Sequence, residues 1–202
     1  NLLRVWPDEG LRRAQLTLVD TMLSRIVNPV THHLGLLFAN DWTLRSDRVS
    51  YGHDIEAAWL FTEAAEVLNN DALLTHVRTL AVKIADTTLA EGVDADGGLY
   101  NEGGPKGVTD TNKEWWPQAE AVVGFLNAFQ ISHDPRHLAA ALRAWDFIEI
   151  HLIDRVHGEW FRGVTRTGAV LSDQPKVSFW KCPYHNGRTG LEAVARLRLL
   201  AP

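Results

Sequence analysis

Cysteine is nearly missing from this chain: Cys182 is the only one in 202 residues, so no intrachain disulfide can form. That points to a reducing, cytoplasmic setting. No apolar run in the sequence reaches membrane-spanning length, and neither a signal peptide nor a membrane partner is expected. There is no long basic run and the formal net charge is −5. Nucleic acid is thereby disfavoured, because phosphate binding needs clustered cations. Metal-ligand spacings, phosphate-cradling glycine loops and dinucleotide fingerprints are all missing, and neither a metal nor a cofactor is expected. Asp94-Ala95-Asp96-Gly97-Gly98 resembles part of a calcium loop but lacks its full spacing and closing Glu, and reads as a hairpin turn.

What is present is a chain that is 46% apolar, enough for one domain with a sizeable core. Eight tryptophans and nine histidines are generous for this length. Buried tryptophan is usually core, but its flat apolar face also matches the C–H face of a pyranose ring. The opening Asn1-Leu2-Leu3-Arg4-Val5-Trp6 reads like the last turn of a helix begun upstream, so part of a longer protein is expected to precede it.

The sequence repeats. Ile55-Glu56-Ala57-Ala58, Ala119-Glu120-Ala121-Val122 and Leu191-Glu192-Ala193-Val194 align, with their glutamates 64 and 72 residues apart. Upstream of each lies a glycine followed by large residues, at Gly35-Leu36-Leu37-Phe38, Gly98-Leu99-Tyr100 and Gly158-Glu159-Trp160-Phe161, which suggests short hairpins. Helical periodicity predicts helices over 10–27, 52–68, 71–90, 115–131, 135–152 and 186–200. Asp71 and Asp134 are the expected N-caps, with Pro135 at a first helical position. Helix pairs in tandem bury their faces on neighbouring pairs, as an open solenoid or a closed toroid. Relative to the shared glutamates, His53, Trp116, Arg188 and His185 sit three, four, four and seven residues earlier, on one helical face. These residues and all three glutamates are therefore expected to converge at one end of the array.

Three segments carry possible chemistry. In Ser50-Tyr51-Gly52-His53-Asp54-Ile55-Glu56, a histidine can take and return a proton near neutral pH, with Glu56 to orient it. Alone, the same pattern also describes a helix-capping His and a surface ion pair. In Lys113-Glu114-Trp115-Trp116-Pro117-Gln118-Ala119-Glu120, one Trp can pack inward while the other stacks on a ligand, or both can be core. Phe179-Trp180-Lys181-Cys182-Pro183-Tyr184-His185-Asn186-Gly187-Arg188 is dense in polar and aromatic groups just before a helix, more often a site than packing. Cys182, followed by Pro183, reads as an inert structural thiol rather than a nucleophile.

In order and spacing these three segments, with the Asn40-Asp41-Trp42 turn, resemble the signature stretches of the cellobiose 2-epimerases, within the N-acylglucosamine 2-epimerase superfamily. The resemblance implies an all-α fold, the (α/α)6 toroid of six helix pairs. Residues 1–202 would supply its C-terminal half, about three pairs with short β-hairpins between them. It implies an isomerase that inverts C2 of the reducing-end sugar of a β-1,4-linked disaccharide, without a cofactor. His53 and His185 match the acid/base pair, Glu56 a carboxylate beside the first, and Trp116 and Trp180 aromatics that stack on substrate. Arg188, Tyr184, Glu120 and Asn186 join them as expected substrate-binding residues. The missing N-terminal half-barrel would supply another arginine and another histidine; failing that half, a second copy of the chain is the expected partner. The related N-acylglucosamine 2-epimerases and mannose isomerases are the nearest alternatives. A glycoside hydrolase using Glu56 and Glu120, or an inactive sugar-binding fragment, are the alternatives of other classes.

Overall fold

The computed structural model describes residues 1–200. It is all-helical apart from very short strands: α1 (Leu2–Val5), α2 (Glu9–Thr21), α3 (Tyr51–Leu68), α4 (Asp71–Glu91), α5 (Trp115–Ser132), α6 (Pro135–Phe147) and α7 (Tyr184–Leu200). α3, α5 and α7 pack side by side as an inner row, with α2 and α4 against α3 and α6 against α5. This is a partial (α/α)6 toroid. The two layers follow from the sequence. α3 and α5 are apolar around most of their circumference and are buried accordingly, whereas α2 and α6 carry one apolar stripe each and face solvent on the other side.

α2 and α6 each close with a π-helical turn, Met22–Ile26 and Ile148–Leu152. The residue beyond each makes a single antiparallel bridge, Val27 to Leu34 and Ile153 to Trp160, and Val93 makes the same bridge to Leu99 after α4. The glycine-marked segments expected as hairpins are these returns, in which one bridge suffices to turn the chain. Longer strands occur where none was expected. β1 (Val49–Ser50), β2 (Glu102–Gly104) and β3 (Gly107–Asp110) form an antiparallel sheet, with Ser50 opposite Glu102 and Gly104 opposite Gly107. β4 (Lys113–Glu114) pairs with β5 (Gly163–Val164), Glu114 opposite Gly163. β1 runs directly into α3 and β4 into α5, so each sheet fixes where an inner helix begins.

The expected cap at Asp71 moves back by one: Asn70 caps α4, its side chain accepting from Leu73 N at 3.0 Å, and Asp71 is the first helical residue. An aspartate at that place favours the helix dipole but has no orphan N–H to reach. Asp134 caps α6 ahead of Pro135 as expected. The Asp94–Gly98 turn binds an ammonium group: Lys113 Nζ, fully buried, lies 2.9 Å from Asp94 and 2.6 Å from Asp96. A buried lysine is tolerable only when its charge is paired in this way. Cys182 is exposed, so it plays no part in the core. No described helix is long and apolar enough to cross a membrane.

Candidate active site

The inner helices α3 and α5 meet closely at their first turns. A Cβ on Gly52 would lie 2.5 Å from the Trp116 ring, so only glycine lets the start of α3 approach α5 this far. Trp116 is thereby held against His53, the two rings tilted and their centroids 4.7 Å apart, and His185 also packs on it, at 5.6 Å. Trp115 is buried in the core and meets the His185 ring edge-on, centroids 6.2 Å apart. A cavity of about 520 Å³ opens here, lined by His53, Glu56, Glu114, Trp115, Trp116, Arg162, Trp180 and His185. Trp180 is well exposed at its wall, beside the still more exposed Phe179.

Behind His185 lies a charged cluster. Glu120 has no exposed surface. Its Oε1 accepts from His185 Nδ1 and from Arg188 Nη2, both at 2.7 Å, and its Oε2 accepts from Trp59 Nε1 at 2.9 Å. Arg188 Nη2 also reaches Glu56 at 2.5 Å, and Nη1 donates to the Tyr184 hydroxyl at 2.7 Å. Burial works against the Arg188 charge, but the two carboxylates outweigh it and push its pKa above the ordinary arginine value. Because a carboxylate can only accept, Glu120 fixes the His185 proton on Nδ1 and leaves Nε2 as the free ring nitrogen. His53 is held differently: its Nδ1 is 2.7 Å from the Ser50 hydroxyl.

Most of the expected residues are thus brought together. His53, Glu56, Trp116, Trp180 and His185 line one cavity, with Glu120 and Arg188 immediately behind. Tyr184 lies on the Arg188 side, facing a larger groove of about 960 Å³ between α2, α3 and α7. Asn186 turns to Glu159, donating to its carboxylate at 3.0 Å. Glu192 departs from the convergence expected of it and sits one turn further along α7, 3.6 Å from Arg196. Although the sequence has no metal-ligand spacing, Glu56, Glu120 and His185 offer ligand atoms within 4.8 Å of one another, and the Arg188 guanidinium supplies the positive charge between the two carboxylates.

Sequence reasoning missed four residues: Ser50, Trp59, Glu114 and Arg162. Glu114 and Arg162 face each other at 3.7 Å across the β4–β5 pairing, and Arg162 also lies 5.0 Å over the Trp115 ring. Burial pushes the Glu114 carboxyl up, against the pull of Arg162. The only signal for Glu114 was its place in the Trp-Trp segment. Arg162 gave none, because a pairing 49 residues apart leaves no local pattern.

Fold and site together define a class: an α/α-toroid protein with a histidine- and tryptophan-lined pocket at the N-terminal ends of its inner helices. Comparison with known proteins narrows it. The model of the N-acylglucosamine 2-epimerase (GlcNAc 2-epimerase) family matches residues 6–185. A cellobiose 2-epimerase of Bacteroides fragilis is 44% identical over 193 residues, covering 95% of this chain and 49% of the relative. One from Dictyoglomus turgidum is 39% identical over 198 residues, covering 98% and 50%. The crystal structure of a sugar epimerase from a ruminal bacterium superposes with a TM-score of 0.93 at 35% identity, over 96% of this chain and 50% of that one. The chain belongs to the N-acylglucosamine 2-epimerase family. It spans about half the length of the relatives it matches.

Proposed function

We propose that this chain is the C-terminal half of a single (α/α)6 barrel catalytic domain that epimerises C2 of the reducing-end sugar of β-1,4-linked disaccharides. Cellobiose would become glucosyl-mannose and lactose epilactose. The observation that carries this reading is the disposition of His53 and His185. Both rings pack against Trp116 and line the same cavity, each with Nδ1 engaged, and Nε2 has no partner among the described residues. Two free imidazole nitrogens around one cavity are what a two-base inversion needs. The C2 proton is acidic only beside the open-chain carbonyl. One histidine removes it, a cis-enediolate forms, and the other returns a proton to the opposite face. Trp116 and Trp180 stack on the sugar rings. Glu120 orients His185, Glu56 lies beside His53, and Arg188 holds the two carboxylates in place.

The hydrolase alternative loses support from the same geometry. Glu120 is fully buried with three donors on it, so it has no free oxygen for a glycosidic bond. The test is turnover of lactose by the full-length protein in D2O. Epilactose carrying deuterium at C2 is expected, with His53→Ala and His185→Ala each slowing it by about 10²–10⁴-fold. Glucose plus galactose, or epilactose without solvent deuterium, would overturn the reading.

A further inference from the structure

Among the described helices, α2, α4 and α6 differ from α3 and α5 in their caps. The outer helices are capped in the ordinary way: Asp8 accepts from Leu11 N at 2.8 Å, Asn70 from Leu73 N at 3.0 Å and Asp134 from Arg136 N at 2.9 Å. The inner helices α3 and α5 start from Ser50 and Glu114, and neither side chain makes a cap bond. A capping serine normally accepts from the backbone N–H of the second or third helical residue. The third residue of α3 is His53, and Ser50 does bond it, but at the ring: Oγ lies 2.7 Å from Nδ1. The capping bond, worth about 0.5–2 kcal/mol to a helix, is given up for a contact with a side chain. Glu114 is diverted likewise, to the cavity wall and Arg162.

Ser50 is well fixed for this task. It is buried, and its backbone is paired to Glu102 in the β1–β2 ladder. Its hydroxyl can accept from Nδ1–H or donate to a bare Nδ1. The Glu120 carboxylate behind His185 can only accept. With Nε2 as the nitrogen that exchanges a proton, Nδ1 keeps its hydrogen whether the ring is neutral or charged, and the Ser50 hydroxyl accepts from it in both states.

We propose that Ser50 is a positioning residue for His53. Its hydroxyl, diverted from capping α3, holds the imidazole by Nδ1 in both charge states and keeps Nε2 turned to the cavity. The geometric part stands on the contact alone; the consequence for turnover rests on the epimerase reading above.

The test compares wild type, Ser50→Ala and Ser50→Thr in the full-length protein, by ¹⁵N-histidine spectra, thermal unfolding and C2 proton exchange from lactose in D2O. Ser50→Ala is expected to move the His53 Nδ1 resonance and leave those of His185 in place. kcat should fall on the order of 10-fold to 100-fold with KM little changed, since a misplaced catalytic group costs rate rather than binding. The midpoint of unfolding should hold, because no cap bond is lost. Ser50→Thr, which keeps the hydroxyl, should restore both resonance and rate. An unmoved Nδ1 resonance in Ser50→Ala would overturn the proposal. So would a lowered unfolding midpoint with no rescue of rate by threonine, which would mark a purely structural serine. A moved resonance with unchanged kcat would overturn the role in turnover. If wild type exchanged no deuterium, the epimerase reading would fall, and the resonance would still decide whether Ser50 holds the ring.

Discussion

Glu120 concentrates the site's electrostatics in one side chain. It is fully buried, and His185, Arg188 and Trp59 all donate to it. Glu120→Gln keeps the shape but removes the charge and points an amide N–H at one of those donors. Leaving a buried donor unmatched costs about 1–3 kcal/mol, and more beside a charge, so a loss of about 3 kcal/mol is expected in urea unfolding. Activity should fall with it, because His185 loses the acceptor that fixes its proton; a variant of wild-type stability would show that Arg188 and not Glu120 organises the cluster. The sequence disclosed Glu120, His185, His53 and Trp116 because they lie at helical offsets from a repeated glutamate. It concealed Trp59 because a Trp three residues beyond Glu56 in an apolar helix looks like packing. Its indole ring does pack in the core, at 3% exposure, and only the direction of its N–H shows the second role.

The helices were legible because their apolar spacing and caps are local. α4, α5 and α6 begin at the residues expected from periodicity, and α3 one residue earlier. The sheets were not legible: Ser50 pairs with Glu102 and Glu114 with Gly163, and strands of two to four residues carry too little alternation to read. How closely the elements pack was hidden too. A Cβ on Gly124 would lie 2.5 Å from Ile55 Cγ1 and 2.6 Å from its carbonyl oxygen, so α5 rests against the backbone of α3. Backbone cannot move aside as a flexible side chain can, and Gly124→Ala is expected to cost about 1–3 kcal/mol despite the better helix propensity of alanine. Equal stability in urea would show that the two helices can separate freely. The turn before β2 makes a pH prediction. Burial alone would raise the Asp94 carboxyl, but bonds from Arg166, Tyr100 and Lys113 outweigh it and hold it well below its ordinary 3.8. A depressed folded pKa gives stabilisation that is present above the unfolded value and lost as pH falls through the folded one. The unfolding midpoint should therefore drop between about pH 5 and pH 2, and less steeply in Asp94→Asn; identical slopes would place the acid sensitivity elsewhere.

At the scale of the molecule, the inner row ends on an uncovered face. Leu191 and Leu199 on α7 are 77% and 79% exposed, and Val194 and Leu197 between them are half exposed. Across the groove of about 960 Å³, α2 presents Leu18, also exposed. Only Thr189 and Arg196 of α7 are buried, although α7 stands in the same row as α5, which buries almost its whole length. A helix that supplies His185 and Arg188 to the site thus has most of its apolar surface in water. Contiguous apolar patches of this kind are uncommon on monomers and mark surfaces that pack against something. In the half-barrel reading that something is the remaining helix pairs of the ring. Residues 1–202 produced alone are then expected to sediment above the monomer mass or to bind a hydrophobic dye. Leu191→Lys with Leu199→Lys should weaken the association, since each places a charge where a neighbour would have to desolvate it. A compact monomer that binds no dye and unfolds cooperatively would show that the half-barrel closes its own edges, and α7 would then need no neighbour to hold its two site residues in place.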